Sequence, residues 1–127
     1  MTTHEQVLEF HTTFGAPVGL TPALISPERA ELRYELIKEE LKELRDAIDA
    51  DDLVEIADAL GDLDYVVHGA AIEYGLPHAL IVTEIHASNM SKLGEDGLPI
   101  LREDGKILKG PGYYRPNIAP ILEKNNA

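Results

Sequence analysis

Two groups of carboxylates are the residues of this chain best suited to chemistry. The second group begins at Glu55, twelve residues after the last member of the first, Glu43. The members are Glu39, Glu40 and Glu43 in the first group and Glu55, Asp58 and Asp62 in the second. Carboxylates spaced three or four residues apart lie on the same side of a helix, where they repel each other. A divalent cation would offset that repulsion, and ligands that are all carboxylates favour Mg²⁺, Mn²⁺ or Ca²⁺.

Two helices joined by a short connection must position these acids. Ser26 is a good N-cap, so a long helix is predicted from Pro27 to about Ala50. Asp51 or Asp52 caps the next helix, which is predicted to run to Tyr74 and to stop at Gly75. Because the connection is short, the two helices are predicted to be antiparallel neighbours with the acidic groups opposite each other.

The rest of the chain predicts an all-α bundle of four or five helices with a short irregular or hairpin C-terminal tail. Further helices are predicted at Gln6 to Phe14, Pro77 to about Leu93 and Pro116 to Lys124. The dipeptides Asp96-Gly97 and Asp104-Gly105 are turn signals, and the segments beside them pair as a hairpin or wrap the helices. The 127 residues suit a single domain, with a helical core at 1–94 and a tail at 95–127.

A helical wheel places part of the first acidic group on the apolar side of its helix. The apolar stripes are Ile37, Leu41, Leu44 and Ile48 on the first long helix and Ile56, Leu60, Leu63, Val67 and Ala70 on the second. Glu40 falls within the apolar side of the first long helix, and Glu43 lies at the edge of that side. An unpaired charge is unfavourable in such a position. The alternative is an ordinary solvated face, and Glu55 also fits a capping box with Asp52.

Composition limits the classes of partner and compartment. Lys and Arg number 11 against 23 Asp and Glu, a net charge of −12, which argues against nucleic acids and anionic membranes as partners. No apolar run approaches the roughly 18 residues of a transmembrane helix, and the N-terminus does not resemble a signal peptide. The chain has no Cys, which excludes disulfides and fits the cytoplasmic location that we expect.

The pattern as a whole resembles the MazG-like, or all-α nucleoside triphosphate pyrophosphohydrolase, superfamily. Its hallmark is a Glu-rich motif on one helix and Glu-x-x-Asp on the next, here Glu39-Glu40-x-x-Glu43, Glu55-x-x-Asp58 and Gly61-Asp62-Leu63-Asp64-Tyr65. A phosphoribosyl-ATP-pyrophosphohydrolase-like branch is similar in Phe10-His11, His86-Ala87-Ser88-Asn89-Met90-Ser91-Lys92-Leu93 and Asp104-Gly105-Lys106-x-x-Lys109-Gly110-Pro111. Much of the superfamily has Glu where this chain has Ala59, which leaves the choice between Asp58 and Asp62 as principal ligand open.

The resemblance implies hydrolysis of a (deoxy)nucleoside triphosphate between its α- and β-phosphates, giving the monophosphate and pyrophosphate. Mg²⁺, with Mn²⁺ as a substitute, would be held by Glu39, Glu40, Glu43, Glu55, Asp58 and Asp62. Glu39 or Glu40 would orient the attacking water. The substrate would contact Asn89, Lys92, Lys106, Lys109 and Tyr113, although from the residues alone these are explained as well by a helix C-terminus and a surface wrap.

A single copy of three or four helices leaves an apolar face open, which predicts a homodimer or homotetramer. Asp64 falls on the apolar side of its helix and has no role beyond a subunit contact. Other functions stay open: phosphoribosyl-ATP pyrophosphohydrolase of histidine synthesis, a non-catalytic metal- or nucleotide-binding helical protein, and a helical interaction module whose acids are solvated.

Overall fold

A computed structural model of the chain describes residues 1–125, and within that range it contains five α-helices and no strand. The helices are α1 (Thr3–Phe14), α2 (Pro27–Asp49), α3 (Leu53–Glu73), α4 (His78–Met90) and α5 (Ala119–Asn125). The predicted all-α fold is confirmed.

The chain separates into two compact units, residues 1–76 and a unit that begins at Pro77, so α4 groups with the tail. The single-domain organisation stays a prediction.

Side-chain caps set the starts of the first three helices. Thr2 and Glu5 form a capping box, so α1 begins earlier than the predicted Gln6. Ser26 and Asp52 cap α2 and α3, each accepting a hydrogen bond at 3.2 Å from the backbone N–H three residues further on. The predicted starts of both long helices are confirmed at these caps.

In the first unit, α2 and α3 form an antiparallel hairpin and α1 packs against α3. The seam of the hairpin contains small side chains, among them Ala47 at 6% exposure and Ala59 at 2%. Arg33, Glu40 and Ala47 follow one another at seven-residue intervals, which puts them on one face of α2. This face, with two charged residues in it, is the side of α2 that meets α3.

The position of the seam corrects the helical-wheel prediction of the inner face. Leu41 and Ile48 of the predicted α2 stripe are 56% and 42% exposed, and Leu60 of the α3 stripe is 53% exposed. A wheel ranks the faces of a helix by hydropathy, whereas close approach of two helices also depends on small residues. Both apolar stripes therefore leave several of their large side chains open to solvent.

A buried ion network joins the start of α2 to the end of α3. Glu73 is 4% exposed and accepts hydrogen bonds from Arg29 at 2.5 and 3.0 Å. Arg33, 8% exposed, lies 3.7 Å from the same carboxylate and donates to the carbonyl of Val66 at 3.1 Å. Gly69 leaves the space that the Arg33 guanidinium occupies. The network therefore fixes the register of α2 against α3.

The second unit contains α4, a short bridged turn and α5. Helix α4 ends at Met90, earlier than the predicted Leu93. One isolated antiparallel bridge joins Leu101 to Ile107, so the tail is mostly irregular with a minimal hairpin. Ser88, 1% exposed, donates to the carbonyl of Tyr114 at 2.7 Å and thereby ties the tail to α4.

None of the helices described here is long and apolar enough to span a bilayer.

Candidate active site

Three of the predicted acids converge across the α2–α3 seam. Glu40 and Glu43 lie one turn apart on α2, and Asp62 faces them from α3. One carboxylate oxygen from each lies within 4.8 Å of the others. The short connection after α2 and the buried ion network at its other end together hold the two helices in this register. We call Glu40, Glu43 and Asp62 the acidic trio.

Glu40 is the most perturbed member of the acidic trio. Burial raises the pKa of Glu40 to about 7, with further contributions from a hydrogen bond to Glu43 and from the charges of Glu43, Asp62 and Asp58. Its Oε2 atom is buried and has no hydrogen-bond partner among residues 1–125. A carboxylate in this position is costly to ionise unless a cation joins it.

The acidic trio fits a hard divalent cation. All of its donors are oxygens, the ligand type that Mg²⁺, Mn²⁺ and Ca²⁺ prefer. Oxygens bound to one Mg²⁺ are separated by at most about 4.2 Å, so small side-chain rotations would bring oxygens that lie within 4.8 Å into range. A bound cation would also give the buried oxygen of Glu40 the partner it otherwise lacks.

The other three predicted acids lie around this centre in two different grooves. Glu55 and Asp58 line a groove of about 460 Å³ together with Glu43, where α2 and α3 approach their connection. Glu39 lines a separate groove of about 560 Å³ formed by α2 residues that include Leu41. The structure thus brings Asp62 into the acidic trio and keeps Asp58 next to it, while Glu39 also borders a separate groove.

The residues predicted to contact substrate all belong to the second unit. Lys109 and Tyr113 are close, with Nζ 4.8 Å from the ring centroid. The carbonyl of Lys92 accepts a hydrogen bond from the backbone of Gly110 at 2.8 Å. Asn89 is exposed near the end of α4 and Lys106 is exposed in the bridged turn. Their contacts with substrate stay a prediction.

Sequence reasoning missed the residues that position the acidic trio. Arg33 lies two turns before Glu40 on the same face of α2, and its partner Glu73 lies at the far end of α3. Two features of the sequence could have indicated this ion pair. Arg29 and Arg33 are four residues apart and so share a helix face, and Glu73 is a lone acid at the end of an otherwise apolar helical turn.

Comparison with known proteins identifies the family of the chain. Residues 7–89 match the phosphoribosyl-ATP pyrophosphohydrolase family, a stretch of more than half of the chain that includes all six predicted acids. Among solved structures, a protein of Exiguobacterium sp. 255-15, described as a proposed NTP pyrophosphohydrolase, is 26% identical. The match covers 98% of this chain and 94% of that one, with a TM-score of 0.49. No curated protein matches the chain.

Proposed function

We propose that this chain, which belongs to the phosphoribosyl-ATP pyrophosphohydrolase family, hydrolyses a (deoxy)nucleoside triphosphate to the monophosphate and pyrophosphate. Mg²⁺ is the proposed cofactor, and Mn²⁺ is its substitute. The observation that carries the proposal is the acidic trio, whose Glu40 has a buried oxygen without a partner among the described residues. Such a cluster is unfavourable alone and favourable around a cation.

The proposed chemistry divides the acids into two roles. When bound, Mg²⁺ would offset the charge of the triphosphate and polarise the phosphorus centre. Glu40, Glu43 and Asp62 would hold the metal, and Glu55 and Asp58 of the adjacent groove would supply further carboxylates.

A carboxylate that the metal does not fully occupy, Glu39 or Glu40, accepts a hydrogen bond from the attacking water. As the water oxygen bonds to phosphorus, that carboxylate takes its proton, the bridging bond between the α- and β-phosphates breaks and pyrophosphate leaves. Asn89, Lys92, Lys106, Lys109 and Tyr113 are proposed to contact the nucleotide.

We further propose a cytoplasmic homodimer or homotetramer. The large apolar side chains of the two helical stripes support this, because Leu41, Ile48 and Leu60 are each more than 40% exposed in one copy. Packing these side chains against a second copy would remove them from water.

The family name favours a second substrate, phosphoribosyl-ATP. Hydrolysis of that compound breaks the same kind of phosphoanhydride bond and needs the same metal-bound geometry. Phosphoribosyl-ATP carries a phosphoribosyl group that an ordinary (deoxy)nucleoside triphosphate lacks, whereas the triphosphate that the proposed metal would meet is common to both.

A substrate panel separates these functions. The protein is incubated with each dNTP, each NTP and phosphoribosyl-ATP, with Mg²⁺ or with EDTA, and pyrophosphate is measured. We expect Mg²⁺-dependent release from at least one triphosphate. Release from phosphoribosyl-ATP alone would select the second substrate, and no release from any compound would leave a non-catalytic metal- or nucleotide-binding protein.

A further inference from the structure

Two histidines outside the acidic trio bring ring nitrogens together between α1 and α3. His4 Nδ1 lies 3.0 Å from His68 Nδ1, and the ring centroids are 5.2 Å apart. His68 Nε2 lies 3.3 Å from a carboxylate oxygen of Asp64, one turn earlier on α3. Both imidazoles are partly buried. This gives a role to Asp64, which sequence reasoning left with none beyond a subunit contact.

The position of Asp64 favours one tautomer of His68. When its ring proton is on Nε2, the nitrogen that faces the Asp64 carboxylate, a neutral His68 carries a lone pair on Nδ1. In that tautomer His68 Nδ1 accepts a hydrogen bond from the Nδ1–H of His4, 3.0 Å away. Burial, and secondarily the charge of His68, lower the pKa of His4, which favours the neutral ring.

We propose that His4 and His68 form a binding site for a transition-metal cation of the Zn²⁺ class, with Asp64 orienting His68. A cation would take the place of the proton between the two Nδ1 atoms, and that proton, the only ring proton of a neutral His4, would move to His4 Nε2, so that no net proton is released. Two imidazole nitrogens on one tetrahedral Zn²⁺ are about 3.3 Å apart, a few tenths of an ångström more than the 3.0 Å observed.

The contact between His68 and Asp64 has the form of a carboxylate–histidine–metal arrangement. In such sites the carboxylate accepts the other ring N–H, fixes the tautomer and increases the basicity of the ligand nitrogen. Imidazole nitrogens suit Zn²⁺, Ni²⁺ and Cu²⁺ rather than Mg²⁺. The site therefore differs in metal class from the acidic trio, and further ligands would come from water or other donors.

The proposed metal would connect the first turn of α1 to the C-terminal half of α3. Helix α3 also carries Asp62 of the acidic trio. The metal would therefore hold α1 against the α2–α3 hairpin without taking part in the proposed reaction. Its role would be structural, and it stands independently of the proposed hydrolysis.

Calorimetric titration with Zn²⁺ in a large excess of Mg²⁺ tests this site. We expect one Zn²⁺ per chain in the wild type and binding weakened by about tenfold or more in His4→Asn, His68→Asn and Asp64→Asn. His86→Asn is the matched control, because His86 is exposed on α4, and Glu40→Gln controls for Zn²⁺ at the acidic trio. Wild-type affinity in both His4→Asn and His68→Asn, or loss of binding only in Glu40→Gln, would overturn the proposal.

X-ray absorption of the Zn²⁺-loaded wild-type protein gives an answer that does not depend on how the variants fold. Two imidazole nitrogens at about 2.0 Å from the metal are expected. A shell of oxygen ligands alone would place Zn²⁺ at carboxylates and overturn the proposal.

Discussion

Glu40 differs from the other charged residue on its face of α2, Arg33, in the charges that surround it. It shares its face of α2 with Arg33, but Arg33 has the buried carboxylate of Glu73 beside it, whereas Glu40 has only other acids. In the proposed function, the bound metal would therefore offset the cost of keeping Glu40 charged.

Neutralising Glu40 is expected to stabilise the metal-free protein. Above pH 7, Glu40→Gln should raise Tm by about 4 °C, or about 1 kcal/mol, because it removes a charge from a cluster of acids. Thermal unfolding in EDTA measures this, with Glu31→Gln, an exposed acid of the same helix, as the control. Addition of Mg²⁺ should then stabilise the wild type more than Glu40→Gln. A lower Tm for Glu40→Gln in EDTA would contradict this view of Glu40.

The raised pKa of Glu40 also predicts how stability depends on pH. The folded state holds this proton up to about pH 7, whereas the unfolded carboxyl loses it near 4.5. Between these values the folded state binds more protons, so the contribution of Glu40 to stability falls as pH rises from about 4.5 to about 7. Urea unfolding of the metal-free wild type across this range should show the loss, and Glu40→Gln should lack it. Identical pH profiles would contradict the prediction.

The sequence put forward six acids as metal ligands, an assignment that stays a prediction, but their geometry came only from the structure. The spacing of the acids predicted a shared cation without choosing between Asp58 and Asp62, and the structure brings one oxygen each of Glu40, Glu43 and Asp62 within 4.8 Å of one another. The choice between Asp58 and Asp62 depended on helix register. That register is fixed by the contact of Arg33 with Glu73, which lie on different helices, so the pattern within either helix did not reveal it.

At the scale of helices, local sequence signals predicted where the helices begin and end better than they predicted which helix faces are buried. Ser26, Asp52 and Gly75 each act through backbone geometry within a few residues, and the long helices begin and end beside them. The inner faces depend on which residues allow two helices to approach, and small residues such as Ala47 and Gly69 carry little hydrophobic signal.

Two glycines of α3 give a matched test of the seam. A Cβ at Gly69 would overlap the guanidinium of Arg33 and lie 3.2 Å from His11 Nε2, whereas a Cβ at Gly61 would meet nothing within 4 Å. Gly69→Ala should therefore cost about 1–3 kcal/mol of unfolding free energy, and Gly61→Ala should add up to about 1 kcal/mol. Chemical denaturation measures both. Equal effects of the two substitutions would show that Arg33 does not fill the space beside Gly69.

At the scale of the whole molecule, exposed apolar side chains and strong acidity oppose each other. The net charge of −12 favours separate copies, while the open stripes of α2 and α3 favour association. The proposed homodimer or homotetramer follows if burial of the stripes is the larger effect.

Disrupting the α2 stripe should convert the assembly to monomers. Leu41→Lys places a charge in the middle of the stripe, where burial against a second copy would desolvate it. Sedimentation velocity should show a smaller species for Leu41→Lys and the wild-type species for Glu31→Lys, which changes an exposed position outside the stripe. A wild-type species that is already monomeric would contradict the proposal.

Pyrophosphate release by the wild type and by Glu40→Gln, with Mg²⁺ and the best nucleotide of the panel, tests the central claim most directly. The wild type should release pyrophosphate with Mg²⁺ and not with EDTA, and Glu31→Gln should match it. Glu40→Gln should be slower by about 10²-fold or more, because it loses a metal ligand or the base that accepts the proton. Full activity in Glu40→Gln, or equal activity with EDTA, would contradict a metal centre at the acidic trio.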